Sequence, residues 1–362
     1  MNWLSKSLDW KSFCLSQRVP YGNCVTRHHL VPRFWLRSFS DSRERLMMVA
    51  RHPPHQGRIV TVTNACVEQG FYEIAADDVE ESHRAGHDPE AVEKVLASLE
   101  GTVSGIMRAI LQGGFPLPPE DRFKLSLFIA LQVTRGWRFR REMNDLGTFA
   151  MRQYVETLSP DYFRDWLRSR GEAHGPDAVA ALRDRVLGQE GPRLVMSQAF
   201  AVQESLRMAA EHMTDHLFLR SWRLLQFSDD LLLMTDNPVG MWTPVPASPS
   251  WPAGQDFSVG VANASMVCLP INRRTALAMT MRSGPDQVVD SGPTRARQIN
   301  MALIHDAERW IYHHPSDHPL DGIVIPAPAV FTDEVVAVRD GADGTRRELH
   351  RVVRRPPRTP AT

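Results

Sequence analysis

The sequence predicts an α+β fold, with a mainly helical centre and a small β-sheet formed by segments that flank that centre in sequence. Three observations carry this. Val92, Leu96, Leu99, Val103, Ile106 and Ile110 recur at helical spacing until Gly113-Gly114 stops the run. Before them, Arg58-Ile59-Val60-Thr61-Val62-Thr63 is rich in β-branched residues and follows Pro53, Pro54 and Gly57, as a short strand or hairpin would. After the helical centre, Leu231–Thr235, Ser265–Pro270 and Thr275–Met281 read as further strands.

Taken in order, residues 1–26 form an N-terminal extension in which Trp3, Leu4, Leu8, Trp10 and Phe13 fit a short amphipathic turn or two. Asp88-Pro89 opens the first long helix, with proline where no amide is needed and Glu90 in the first turn. Pro118-Pro119-Glu120 opens a second, running through Phe123, Leu127 and Leu131 to about Met143. A third covers Phe149 to Leu167, and a fourth runs from about Arg193 to Arg220. Asp236-Asn237-Pro238 is a turn, because Asp and Asn side chains hydrogen-bond their own backbone. Trp242 to Pro252 holds Pro244, Pro246, Pro249 and Pro252, too many for a regular element, and could act as a lid or a rigid loop. Arg295–Ile311 reads as a helix and Ile323–Val338 as an edge strand interrupted by proline. These elements make one α+β domain over residues 27–340, followed by an Arg/Pro-rich tail, 341–362, expected to be disordered.

Composition narrows the function classes. Lys plus Arg and Asp plus Glu are each 42, so the net charge gives no global grip on nucleic acid or anionic lipid, although a local patch remains compatible with it. Cys14, Cys24, Cys66 and Cys268 form no Cys-x-x-Cys pair, which excludes a zinc ribbon or thioredoxin-type motif and fits a reducing compartment. No apolar run reaches the roughly eighteen residues needed to span a bilayer, and the N-terminus lacks a secretory signal's unbroken apolar core. The expectation is a cytoplasmic protein with no membrane partner.

Four stretches carry a family resemblance: His28-His29-Leu30-Val31-Pro32-Arg33-Phe34-Trp35-Leu36-Arg37-Ser38-Phe39, Glu68-x-x-Phe71-Tyr72, Leu131-Gln132-x-x-Arg135 and Thr235-Asp236-Asn237-Pro238-Val239. In this order the chain resembles the bacterial family catalogued as domain of unknown function 4238, over roughly residues 27–315. The opening motif is the specific one; its histidine falls on His29, and Trp35 stands where the family more often has tyrosine. The resemblance implies no activity, so chemistry must come from the residues.

His28 and His29 are candidate catalytic residues, since an extended segment can turn one imidazole inward as a base or metal ligand; structural hydrogen bonding is the plainer alternative. His-His-x-x-Pro before Asn64 loosely matches the opening of HNH-type nucleases, but the closing histidine is missing. Glu93 and Glu100, two turns apart, could reach a shared metal or simply be solvated. Gln132 and Arg135 share a helix face; Arg135 could clamp an anionic substrate, or join an internal ion pair with Glu93 or Asp236. His212 and His216 have chelate spacing without a visible third ligand. Asp236, at a strand end, is a candidate catalytic acid, and Asn237 would bind substrate beside it.

The expectation is therefore a hydrolase acting on an anionic, phosphate-containing substrate such as a phosphodiester. His28, His29 and Asp236 would be catalytic, Gln132, Arg135 and Asn237 would bind substrate, and a divalent metal, if used, would sit on His29 and Asp236. The alternative is a non-catalytic ligand-binding or regulatory module whose polar cluster is structural.

Overall fold

The computed structural model describes residues 27–74, 88, 90–188, 191–229, 231–244, 255–256, 259–281, 283–327, 330–340 and 346–355. The N-terminal extension, 245–252 of the proline-rich segment and 356–362 of the tail lie outside them.

The N-terminal part holds β1 (Arg27–His29), the short helix α1 (Arg33–Arg37), β2 (Arg45–Ala50), β3 (Gly57–Thr61) and β4 (Val67–Gln69). The helical centre comprises α2 (Ala91–Leu111), α3 (Pro119–Thr134), α4 (Trp137–Glu156), α5 (Pro160–Ser169), α6 (Pro176–Leu187), α7 (Gln198–Arg207) and α8 (Thr214–Phe218). Then follow β5 (Ser221–Gln226), β6 (Met234–Thr235), β7 (Gly240–Pro244), β8 (Gln255–Asp256), β9 (Met266–Asn272), β10 (Thr275–Thr280) and β11 (Gln287–Asp290). The last elements are α9 (Pro293–Asp306), β12 (Trp310–His313), β13 (Val330–Asp340) and β14 (Arg346–Arg355).

This is the α+β arrangement with a helical centre, but the strands divide into several sheets. A four-stranded sheet, β3-β2-β12-β6, joins segments from before and after the helices. A six-stranded sheet, β11-β5-β10-β9-β7-β8, is built wholly from the C-terminal half. β1 pairs with β4, and β13 with β14. β14 covers 346–355, within the segment expected to be disordered.

Helix boundaries follow local chemistry. α3, α5, α6 and α9 each begin with proline in the first turn, where its missing N–H costs nothing. Ser197 caps α7 by accepting from the Phe200 amide. The expected second helix is broken at Arg135-Gly136 into α3 and α4, and the third is broken before Pro160. Between α7 and α8 the chain makes a π-helical turn, Met208–Met213, so the expected fourth helix is continuous in direction but not in hydrogen bonding.

One core runs through both larger sheets and helices α2, α3 and α9; a satellite cluster of Val155, Phe163, Leu167, Val179 and Leu182 holds α4, α5 and α6 together. Trp35 of the opening motif is fully buried against Phe128, and its indole N–H donates to the Pro270 carbonyl at 2.7 Å. Truncating such a side chain to alanine costs about 3–5 kcal/mol. Gly240 is dictated by packing: a Cβ there would lie 2.9 Å from the Ala302 Cβ and 3.0 Å from the Cys268 sulfur, so β7 could not press onto α9. Among the described residues, no helix is long and apolar enough to cross a membrane.

Candidate functional site

Most of the residues singled out by sequence gather in two polar centres, and Phe71 touches an aromatic wall of each. That ring meets Tyr72 edge-on at 5.1 Å and Trp137 at 4.8 Å, and the Arg140 guanidinium lies 3.5 Å above it.

The first centre lies between β1, α2 and α3. Strand alternation turns His28 inward and leaves His29 half-buried. The His28 Nδ1 accepts the Tyr72 amide at 3.1 Å, and burial lowers the pKa of the ring, so it is a neutral structural acceptor. His29 has a buried Nε2 with no hydrogen-bond partner among the described residues; burial, with Arg33 nearby, pushes its imidazole down to about 4. Arg135 at the end of α3 is buried and donates from Nη1 to Glu100 Oε1 at 2.7 Å. The Gln132 carboxamide, oriented with its oxygen toward Arg135, accepts from Nη2 at 2.8 Å and Nε at 3.1 Å. The arginine is thus spent on α2 and its own helix, with Glu100 as its ion-pair partner in place of the expected Glu93 or Asp236. Glu93 is raised above the ordinary carboxylate range by burial and by the charge of Glu100. The crevice beside Tyr72 and Arg135 has a volume of about 10 Å³, room for one water.

The second centre surrounds Asp236, just after β6. Its Oδ1 accepts the Glu308 amide at 2.9 Å, and its Oδ2 accepts the amides of Arg309 at 2.7 Å and Trp310 at 3.1 Å. The carboxylate therefore caps the start of β12. Burial pushes its pKa up to about 6, outweighing the three amides, which favour the charged form. Asn237 donates from Nδ2 to the Asp306 carbonyl at 3.1 Å, fastening the turn to α9. Gly136, where α3 and α4 part, faces the Asp236 turn: a Cβ there would make an ordinary 4.0 Å contact with the Asp236 carbonyl oxygen.

Asp236 lines a pocket of about 160 Å³ with Arg58, Asn64, Glu68, Trp137, Arg309 and Trp310 around it. Arg309 donates to Glu68 at 2.7 Å and stacks on Trp137, 4.8 Å from the ring centroid; Arg58 lies 5.8 Å from the Trp310 centroid. Asn64 accepts from Arg27 at 2.9 Å. At the pocket floor the Cys66 amide donates to the Tyr312 hydroxyl at 3.0 Å, and burial raises the Cys66 thiol, which keeps it protonated.

Of the predicted site residues, Asp236 alone lines this pocket; Arg135 lines the Tyr72 crevice, and His28, His29, Gln132 and Asn237 line neither. Among the described residues no group of three His, Cys, Asp or Glu side chains could hold a metal ion, so His29 and Asp236 gain no third ligand there, and neither do His212 and His216. Arg58, Trp137, Arg309 and Trp310 were not legible as site residues, because they come from three separate stretches and carry no common motif.

No curated protein and no solved structure matches the chain. One family's sequence model, described as "Protein of unknown function (DUF4238)", matches residues 27–317, which span all four motif stretches and both polar centres. The chain belongs to the DUF4238 family.

Proposed function

We propose that the chain binds a small anionic molecule in the Asp236 pocket and hydrolyses it, with Asp236 as the proton-transferring group. The observation that carries this is Asp236 itself: a buried carboxyl, fixed by three backbone amides and titrating near 6, that faces a pocket also lined by two arginines. A carboxyl with that pKa can accept a proton from water and return it to a leaving group near neutral pH. The arginines suit a substrate oxyanion, phosphate or carboxylate. A metal-free mechanism is preferred, because no three-ligand set is present among the described residues.

A second reading, a binding module without catalysis, draws on the same three amides, since they occupy most of the carboxylate's accepting capacity. A panel of phosphate monoesters, diesters and carboxylic esters separates the two. Hydrolysis is expected to follow a titration near pH 6 and to be lost in Asp236→Asn, with a melting curve confirming that the variant folds. Saturable binding of an anion with no turnover of any ester would favour the binding module. No binding of any anion would refute both.

A further inference from the structure

The aromatic walls of the Asp236 pocket say more than its charge does. Trp310 reaches it from β12 and Trp137 from the first turn of α4, so two indoles from distant parts of the chain border one cavity of about 160 Å³. Each is attended by an arginine. Arg309 is already committed, stacked on Trp137 and bonded to Glu68. Arg58 is different. It is exposed on β3, its guanidinium lies against Trp310, and that side chain makes neither an ion pair nor a hydrogen bond with any described residue. An indole beneath a guanidinium restrains it without using its N–H groups, so a planar fork of donors is held at the pocket edge with nothing to bind. The acceptors on the same cavity are already engaged, Asn64 by Arg27 and Glu68 by Arg309, which leaves the Arg58 guanidinium free of them.

We infer that the ligand of this pocket is an aromatic oxyanion, a flat ring bearing a phosphate or carboxylate, with Arg58 as the receptor for the oxyanion and the Trp137 and Trp310 indoles as the surfaces against which the ring packs. This rests on the assignment of the Asp236 pocket as the functional site, and it adds the substrate class. A flat ring offers the indoles an offset or edge contact, whereas a saturated ring of equal size offers only apolar area. The guanidinium fork takes two oxyanion oxygens at once, which a lysine ammonium at the same place cannot do.

Titration calorimetry on the full chain, with phenyl phosphate, benzoate, cyclohexyl phosphate and inorganic phosphate as probes, tests the assignment. The expected result is that phenyl phosphate or benzoate binds about three- to tenfold more tightly than cyclohexyl phosphate, a ratio set by aromatic pairing. Arg58→Ala should weaken the aromatic anion about tenfold or more, and Arg58→Lys should recover only part of that loss. Arg58 is exposed on a strand, so both variants should melt like the parent. Equal affinity for phenyl and cyclohexyl phosphate, both weakened by Arg58→Ala, would overturn the aromatic class and leave the anion pocket standing. Binding that ignores Arg58 would overturn its receptor role. Binding of none of the four would overturn the pocket assignment together with this inference.

Discussion

Arg135 is where a structural and a substrate-binding role diverge most sharply, and a double-mutant cycle with Glu100 decides between them. The Arg135 side chain is 3% exposed and that of Glu100 is 24% exposed, with 2.7 Å between them. Removing one partner of a buried pair costs about 3–5 kcal/mol, because a charge is left uncompensated. Arg135→Met strands Glu100, which water can partly rescue at its exposed edge, so about 2–3 kcal/mol is expected for that variant. Glu100→Gln keeps an amide oxygen that can accept from Arg135 but removes the anion that neutralises the more deeply buried cation, and about 3–4 kcal/mol is expected. The double variant removes both charges and should cost much less than the sum, a coupling of about 2–3 kcal/mol. Urea unfolding gives all four values from midpoints and slopes. If each single change costs under about 1 kcal/mol and the two add, the guanidinium is not held by Glu100, and a substrate clamp becomes the better account of it.

Three further outcomes follow from the same geometry. Asp236→Ala leaves three amides at the start of β12 without an acceptor and should cost about 3–5 kcal/mol in urea unfolding; a loss under about 1 kcal/mol would show that the cap does not organise β12. His29 sits near 4 when folded, against an ordinary 6.5, so the unfolded chain takes up its proton first. Its contribution, of order 3 kcal/mol, is present above pH 6.5 and is lost as pH falls toward 4, so the wild type should lose more stability on acidification than His29→Asn; an imidazole titrating near 6.5 by NMR would contradict this. Tyr72 carries a buried hydroxyl with no hydrogen-bond partner among the described residues, so Tyr72→Phe should be neutral or stabilising by up to about 1 kcal/mol; a loss above about 1 kcal/mol would reveal a partner such as a bound water.

How far the sequence reached depends on where each signal lay. α2 was legible because its buried residues, Leu96, Val103, Ile106 and Ile110, repeat along one face. β2 was not: Arg-Leu-Met-Met-Val-Ala favours helix as much as strand, and it becomes a strand by pairing with β12, some 260 residues later. β5, just after the expected fourth helix, was not legible for the same reason, its partners β10 and β11 lying further along the chain. The break at Arg135-Gly136 left one signal, the glycine, inside an apolar pattern that runs on past it. At the site, the Asp-Asn-Pro turn announced Asp236 because turn chemistry is local. Whether Gln132 and Arg135 faced a substrate or Glu100 depended on how α2 packs against α3, and no spacing within one helix encodes that.

The four-stranded sheet also has a consequence for synthesis on the ribosome. β12 occupies an inner position, between β2 and β6, so β2 and β3 must wait for it with one strand edge unpaired. About 250 residues separate Thr61 from Trp310, which at roughly 5–20 residues per second is some 12–50 s of translation. During that interval β2 presents Leu46, Met48 and Val49, buried in the finished protein, beside an open backbone ladder. Truncated chains ending before β12 should therefore aggregate more than the full chain in a pulse-chase experiment, since only the arrival of β12 closes that strand edge.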